Sequence, residues 1–351
     1  MSSKNETPVN ERAGIRQVAE LAGVGIASVS RVLSGQSGVS KKMTERVLLA
    51  AEQLNYTPNV LAQSLRRRST RSIGFVCSDI TNPLLASIVS GAESVLAASG
   101  YSLLLTNSGG MPEMDAEHIE VLQQRQVDGL ILLPSLENDD ATLHALRKST
   151  MPLVVIDRTL PDDVEANTVL SDHYLGVGVA ARALLQQGHR RIGLIVGRDV
   201  RPTRERIRAV QDAYQACNAA PDYLIETGIL SVAHGERAMA HLLALPNPPT
   251  AVILGGNQLL EGALTVIEQH KLILGRDFSL VCCDDVALSR LFSPPIATVM
   301  RDNILLGKRA AQLLLGQLEN PHEKEQVLLP TWFENRASCG PVSHMLNKPG
   351  V

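Results

Sequence analysis

No stretch of the 351-residue chain is both long and apolar enough to span a bilayer, and its first residues, Met1-Ser-Ser-Lys-Asn-Glu-Thr-Pro, hold no apolar signal core. A cytoplasmic protein with no membrane partner is therefore expected. The nine histidines form no His-Glu-x-x-His pair for zinc, and no Gly-x4-Gly-Lys-Ser/Thr loop is present to cradle nucleotide phosphates. Five cysteines (Cys77, Cys217, Cys282, Cys283, Cys339) lack a Cys-x-x-Cys spacing, and vicinal Cys282-Cys283 falls in an apolar run, so they are expected as reduced core residues. A loose Gly-x-Gly-x-x-Ala at Gly176, Gly178 and Ala181 has no apolar strand immediately before it, which argues against a dinucleotide loop. The sequence thus offers no catalytic residue, no metal cluster and no cofactor motif.

What is present begins at Ile15. Val18, Ala19 and Ala22 share one face of a short helix, and Val29, Val32 and Leu33 repeat at helical spacing in a second. Gly23 stands between them, where a sharp turn needs a residue free to take positive φ, with Gly25 as a permitted cap for the second helix. This is the layout of a helix-turn-helix, with Ile26, Ala27, Ser30 and Arg31 on the outward face of its second helix, aimed at a major groove. A third helix, capped by Ser40, brings Met43, Val47, Ala50, Ala51 and Leu54 to the same core.

Charge supports DNA as the partner. Residues 1–72 carry eleven Lys and Arg against five acids, a balance of +6, whereas the remainder carries 22 against 31, a balance of −9. A basic head on an acidic body suits a small DNA-contacting module, and binding that leans on phosphates falls steeply with salt. After Thr57-Pro58, Asn59 can cap a further short helix in which Leu61, Ala62 and Leu65 share a face. About two turns of helix do not hold alone in water, so this segment is expected to form on a DNA-bound dimer.

From about residue 72 the chain alternates apolar β-rich runs (73–77, 102–106, 130–133, 153–156, 192–196, 251–254, 280–283, 297–300) with helical stretches (84–98, 115–124, 175–187, 203–216, 235–245, 258–270, 304–318). Such alternation predicts parallel sheets flanked by helices, and about 280 residues exceed one compact sheet, so two lobes with a cleft follow. Ligands bind at the carboxyl ends of such strands, where Asp79, Thr81, Asn82, Asp157, Arg158, Asn257, Asp284 and Asp285 stand.

The head from Val18-Ala19 to Ser30-Arg31-Val32-Leu33, the junction Tyr56-Thr57-Pro58-Asn59, the hinge Ala62-Gln63-Ser64-Leu65, and then Asp79-Ile80-Thr81-Asn82-Pro83, Val127-Asp128-Gly129, Gly188-His189-Arg190-Arg191 and Cys283-Asp284-Asp285 occur in order. By these motifs residues 15–341 resemble the LacI/GalR family of bacterial transcription regulators. The resemblance implies a homodimer on a pseudo-palindromic double-stranded DNA operator, controlled by a small-molecule effector. It implies base contacts by Ile26 and Ala27, which offer only methyl groups, and by Arg31, with Ser28, Ser30, Ser34, Asn59 and Ala62 completing the DNA-contacting set. Leu65 would wedge into a minor-groove base step and kink the duplex. Ser34 stands where asparagine is common in the family, and Gly25 where serine is.

The implied organisation is an all-α helix-turn-helix head (1–58), a hinge helix and linker (59–71), a two-lobed periplasmic-binding-protein-like α/β body (72–341) and a tail (342–351). The first lobe would take 72–158 plus 300–329, the second 159–299 plus 330–341. The implied effector residues are Asp79, Asp157, Arg206, Leu230, Asn257 and Asp284, suited to a sugar, a sugar acid or a sugar phosphate. Leu230 stands where an aromatic often stacks on a sugar, Leu84 and Leu85 replace an aromatic pair, Gly256 a polar residue and Asn257 an aspartate, so an aromatic platform is missing. Arg198, Arg201, Arg204, Arg206 and Arg208 crowd one segment, as an anion site or as a solvated basic face. The tail shows no leucine heptad, which favours a dimer over a tetramer. A transport-type solute-binding protein would share the body without the basic head, and an enzyme would need a nucleophile or cofactor loop.

Overall fold

The computed structural model describes residues 13–33, 38–56, 69–321 and 324–342, which fall into two compact units divided between residues 70 and 71. The first holds α1 (Ile15–Ala22), α2 (Ile26–Leu33) and α3 (Lys41–Gln53). Val18, Ala19, Ala22, Val29, Val32, Val47, Ala50 and Ala51 close one buried core, with Leu33 and Leu54 packed at its edge. Gly23 takes φ 61°, and the Val24 N–H returns to the Ala19 carbonyl at 3.0 Å, so α1 ends in a left-handed cap. Arg46 reaches back from α3 to donate to the carbonyls of Ala22 and Gly23. One of the head's basic side chains thus holds the turn.

In the second unit the chain runs β1 (Ser72–Cys77), α4 (Pro83–Ala98), β2 (Ser102–Asn107), α5 (Pro112–Gln124), β3 (Gly129–Leu132), α6 (Asp140–Lys148), β4 (Leu153–Ile156) and β5 (Asn167–Asp172) through a first lobe. It then crosses to α7 (His173–Gln186), β6 (Ile192–Val196), α8 (Arg201–Ala216), β7 (Tyr223–Thr227), α9 (Val232–Leu243), β8 (Ala251–Leu254), a 3-10 turn (Asn257–Leu259), α10 (Leu260–Gln269), β9 (Ser279–Cys283), α11 (Ala287–Leu291) and β10 (Ala297–Met300). Next, α12 (Asn303–Glu319) and β11 (Gln326–Pro330) return to the first lobe, and β12 (Trp332–Glu334) ends in the second.

The two six-stranded sheets, β11-β5-β4-β3-β1-β2 and β12-β10-β9-β8-β6-β7, share one strand order. Every pairing is parallel except β12 on β10. Strands β3, β4, β8 and β9 are buried throughout because helices cover both faces, which is why they read as unbroken apolar runs. Four strands and two helices lay outside the sequence expectation: β5, β7, β11, β12, α6 and α11. Because β5 pairs with β4, the first crossing falls between Asp172 and His173, which corrects the lobe boundary expected after residue 158. The segment Gly176 to Ala181 lies inside α7, packed in the second lobe's core rather than forming a phosphate loop.

The crossings are built alike. Asp172 accepts from the Leu175 N–H at 2.9 Å to cap α7, and Asp302 accepts from the Leu305 N–H at 2.8 Å to cap α12. Beside each, an aspartate past the neighbouring strand adopts positive φ, Asp157 at 52° and Asp284 at 72°. Their N–H groups donate to Val169 and Val299 at 3.0 and 2.8 Å. Asp157 and Asp284 are therefore counterparts, one from each lobe.

Helix α12 packs on α4 so closely that a side chain on Gly307 would lie 1.9 Å from the Ile88 carbonyl oxygen. Gly307→Ala is expected to cost about 1–3 kcal/mol by forcing the helices apart, read from urea unfolding; an unchanged midpoint would show that the helices separate freely.

Candidate functional site

A cavity of about 470 Å3 lies between the lobes, at the carboxyl ends of the strands. This is within the size range of small-ligand sites. Asp79, Asp157, Arg206, Leu230, Asn257 and Asp284 all line it, so the folding brings together the six effector candidates. The lining also includes Leu84 and Leu85 but no Phe, Tyr or Trp among the described residues. No aromatic platform is present there for a pyranose face.

Arg301, immediately past β10, was not among the sequence candidates and occupies the floor. Its Nε donates to Asp284 Oδ1 at 2.7 Å and its Nη1 to Asp157 Oδ2 and, at 3.4 Å, to Ser171 Oγ. One guanidinium thus joins a carboxylate of each lobe. Asp157 also receives the Ser171 N–H at 2.6 Å. Burial pushes the Asp157 carboxyl up, but His173 and Arg301 against it outweigh that and hold it well below the usual carboxylate range.

His173 links this cluster to Arg206. Arg206 Nη2 lies 3.2 Å from His173 Nδ1, which then accepts, leaving the Nε2 proton facing Asp157 Oδ2 at 3.4 Å. Burial, reinforced by the Arg206 charge, lowers His173 to about 4, so its ring is neutral at neutral pH. Beside Asp157, Arg158 donates from Nη1 to the Asp157 carbonyl at 2.9 Å. Burial draws the Arg158 guanidinium below its ordinary value, with Asp157 and Glu137 opposing and Arg206 and Arg301 reinforcing the effect.

Further hydrogen bonds span the cleft. Asn257 Nδ2 donates to Asn82 Oδ1 at 3.2 Å, Gln258 Nε2 to Asp79 Oδ2 at 3.2 Å, and Arg198 Nη1 to the Gly110 carbonyl at 2.9 Å. The lobes are thus bridged by side chains that also line the cavity. The other crowded arginines turn elsewhere. Arg201 pairs with Glu205 at 2.6 Å, Arg204 with Glu137 and Asp199 at 2.5 and 2.9 Å, and Arg208 lies over the Tyr174 ring.

Cys283 ends a buried strand and burial pushes its thiol up to about 11, the signature of an inert core thiol. In the head, Ile26, Ala27 and Arg31 are exposed on α2 and Ser28 and Ser30 half-buried. Ser34, Asn59, Ala62 and Leu65 lie outside the described residues.

A two-lobed ligand cleft joined in one chain to a helix-turn-helix defines a ligand-responsive DNA-binding regulator. The bacterial regulatory protein model of the lacI family matches residues 14–59, and a periplasmic binding protein-like domain matches residues 181–339. The ribose operon repressor of Haemophilus influenzae is 31% identical over 90% of this chain and 95% of its own length. The PurR transcriptional repressor of Haemophilus influenzae strain PittEE is 33% identical over 90% of this chain and 94% of its own length. The lac repressor dimer bound to operator and the anti-inducer ONPF superposes with a TM-score of 0.82 at 27% identity, covering 93% of this chain and 99% of that one. The chain belongs to the LacI family of bacterial transcription regulators.

Proposed function

We propose that the protein is a repressor that binds a pseudo-palindromic operator as a homodimer and responds to a small carbohydrate-type effector held between its lobes. The observation that carries this reading is the polar cleft itself, lined from both lobes and attached to a head with an exposed reading helix. An effector that touches both lobes favours one lobe arrangement over another, and by linkage it shifts operator affinity by the same free energy. The relatives include ribose operon repressors of Haemophilus influenzae and Escherichia coli, and one structural neighbour is a CelR–cellobiose complex, which supports a carbohydrate. Action on DNA assigns its work to the cytoplasm, and among the described residues no helix is long and apolar enough to cross a membrane.

The direct test is fluorescence anisotropy of the full chain on a selected palindromic DNA pool at fixed salt, with and without sugars, sugar acids and sugar phosphates. Sequence-selective binding shifted by one carbohydrate supports the reading, and binding without sequence preference overturns it. In the same assay Arg31→Ala is expected to weaken operator binding by about 1–3 kcal/mol, the worth of a good bidentate guanine contact. An equal loss on random DNA would reassign Arg31 to a phosphate.

A further inference from the structure

We propose that the effector carries a negative charge, a carboxylate or phosphate group, that seats against Arg206 and Arg158 in the interlobe cleft. The proposal deepens the carbohydrate reading above and rests on it.

The first support is that the cleft's acceptors are already engaged. Arg301 takes Asp157 and Asp284 together, and Asp79 receives the Thr81 N–H and O–H at 3.0 and 2.6 Å and the Gln258 amide at 3.2 Å. Glu137, beside the same wall, accepts from Thr159, Arg201 and Arg204. A neutral polyol, whose hydroxyl protons are best received by carboxylates, must share these carboxylates with donors of the protein itself.

The second support is that two of the cleft's guanidiniums have no carboxylate paired with them among the described residues. Arg206 is only 6% exposed and lines the cavity, yet no ion pair within 4.0 Å is formed by it or by Arg158 among the described residues. Each buries an Nε that has no hydrogen-bond partner. His173, 3.2 Å from Arg206 Nη2, is uncharged at neutral pH, so it satisfies one N–H without supplying a counter-charge. Arg206, from the second lobe, lies near enough to Arg158, from the first, to lower the proton affinity of Arg158 electrostatically. Two buried guanidiniums that repel each other across a cleft are completed by one anion, and the guanidinium fork matches carboxylate and phosphate oxygens in pairs. With Arg198 counted, four arginines and three aspartates line the cavity, leaving one positive charge for the ligand to balance.

Isothermal titration calorimetry of the full-length protein, with neutral aldoses each matched to its own sugar acid and sugar phosphate, tests this. The acid or the phosphate is expected to bind at least tenfold tighter than its neutral parent, and which of the two does so identifies the anion. Arg158→Gln should erase that preference, and Arg158→Lys, which keeps the charge but not the fork, should retain part of it. The matched pairs on the unaltered protein decide the matter even where a variant fails to fold. A neutral sugar that binds as tightly as its acid and phosphate overturns the anion proposal and leaves the carbohydrate reading standing. No binding by any carbohydrate, with sequence-selective operator binding intact, overturns both.

Discussion

Replacing Arg301 by methionine is expected to destabilise the body by about 3–5 kcal/mol, the usual consequence of removing one member of a buried charge cluster. The side chains of Asp157 and Asp284 are only 4% and 7% exposed, and without Arg301 the two negative charges would lose the counter-ion they share. Each would have to be protonated or hydrated at the expense of the fold. The loss should appear as a fall of roughly 10 °C in the unfolding midpoint, given the few degrees per kcal/mol typical of a body this size. Adding Asp157→Asn and Asp284→Asn to Arg301→Met should recover much of the stability, because the uncompensated charges leave with their counter-ion. Recovery in the triple variant separates an electrostatic origin from simple loss of packing by the arginine stem. Arg301 also joins one lobe's aspartate to the other's at a crossing, so its loss should loosen the lobes and weaken any ligand that touches both. An unchanged midpoint for Arg301→Met would mean that the cleft floor is wet enough to solvate both carboxylates.

The reach of the sequence follows from what each periodicity reports. The head core was legible because Val18, Ala22, Val29, Val32, Val47 and Ala50 repeat at 3.6-residue spacing with polar residues between them. Central strands were legible as apolar runs, whereas β7 and β11 are only half-buried and β5 mixes Asn167, Thr168 and Ser171 with its valine and leucine, so no run marks them. Missing β5 displaced the expected lobe boundary. The cleft side chains could be found because strand ends gather there in any such sheet. Arg301 obeys the same rule, being the first residue past β10, but its partners lie 144 and 17 residues away in sequence and only the fold reveals them. The arginine cluster held one usable signal. Arg201, Arg204 and Arg208 share one face of α8 and Arg206 sits across from them, which matches their division between ion pairs and cleft.

Acid should weaken the fold over a defined window. His173 and His189 are both held at about 4, against an ordinary value near 6.5, His173 by burial with the Arg206 charge behind it and His189 by burial. The buried His189 ring is fixed by Thr250 Oγ1 at 2.8 Å from Nδ1 and the Gly340 carbonyl at 3.0 Å from Nε2. Both folded values lie below the unfolded ones, so between pH 6.5 and about 4 the unfolded chain binds more protons and stability falls as pH falls. Above pH 6.5 both states are neutral at these rings and the contribution is level. With two such groups the slope should approach about 2.7 kcal/mol per pH unit midway, steep enough to remove a large share of a typical margin of about 5–15 kcal/mol. Urea midpoints at pH 7.5, 6 and 5 measure it. In His189→Gln the slope should drop by about one proton; a slope that does not change would mean that His189 is protonated in the fold. Affinity for a sugar acid, whose carboxylate stays ionised, should be level from pH 8 down to about 6, because the ring between Asp157 and Arg206 keeps its neutral form throughout, and a sugar acid that binds markedly tighter at pH 6 than at pH 8 would place a protonated His173 in the bound state.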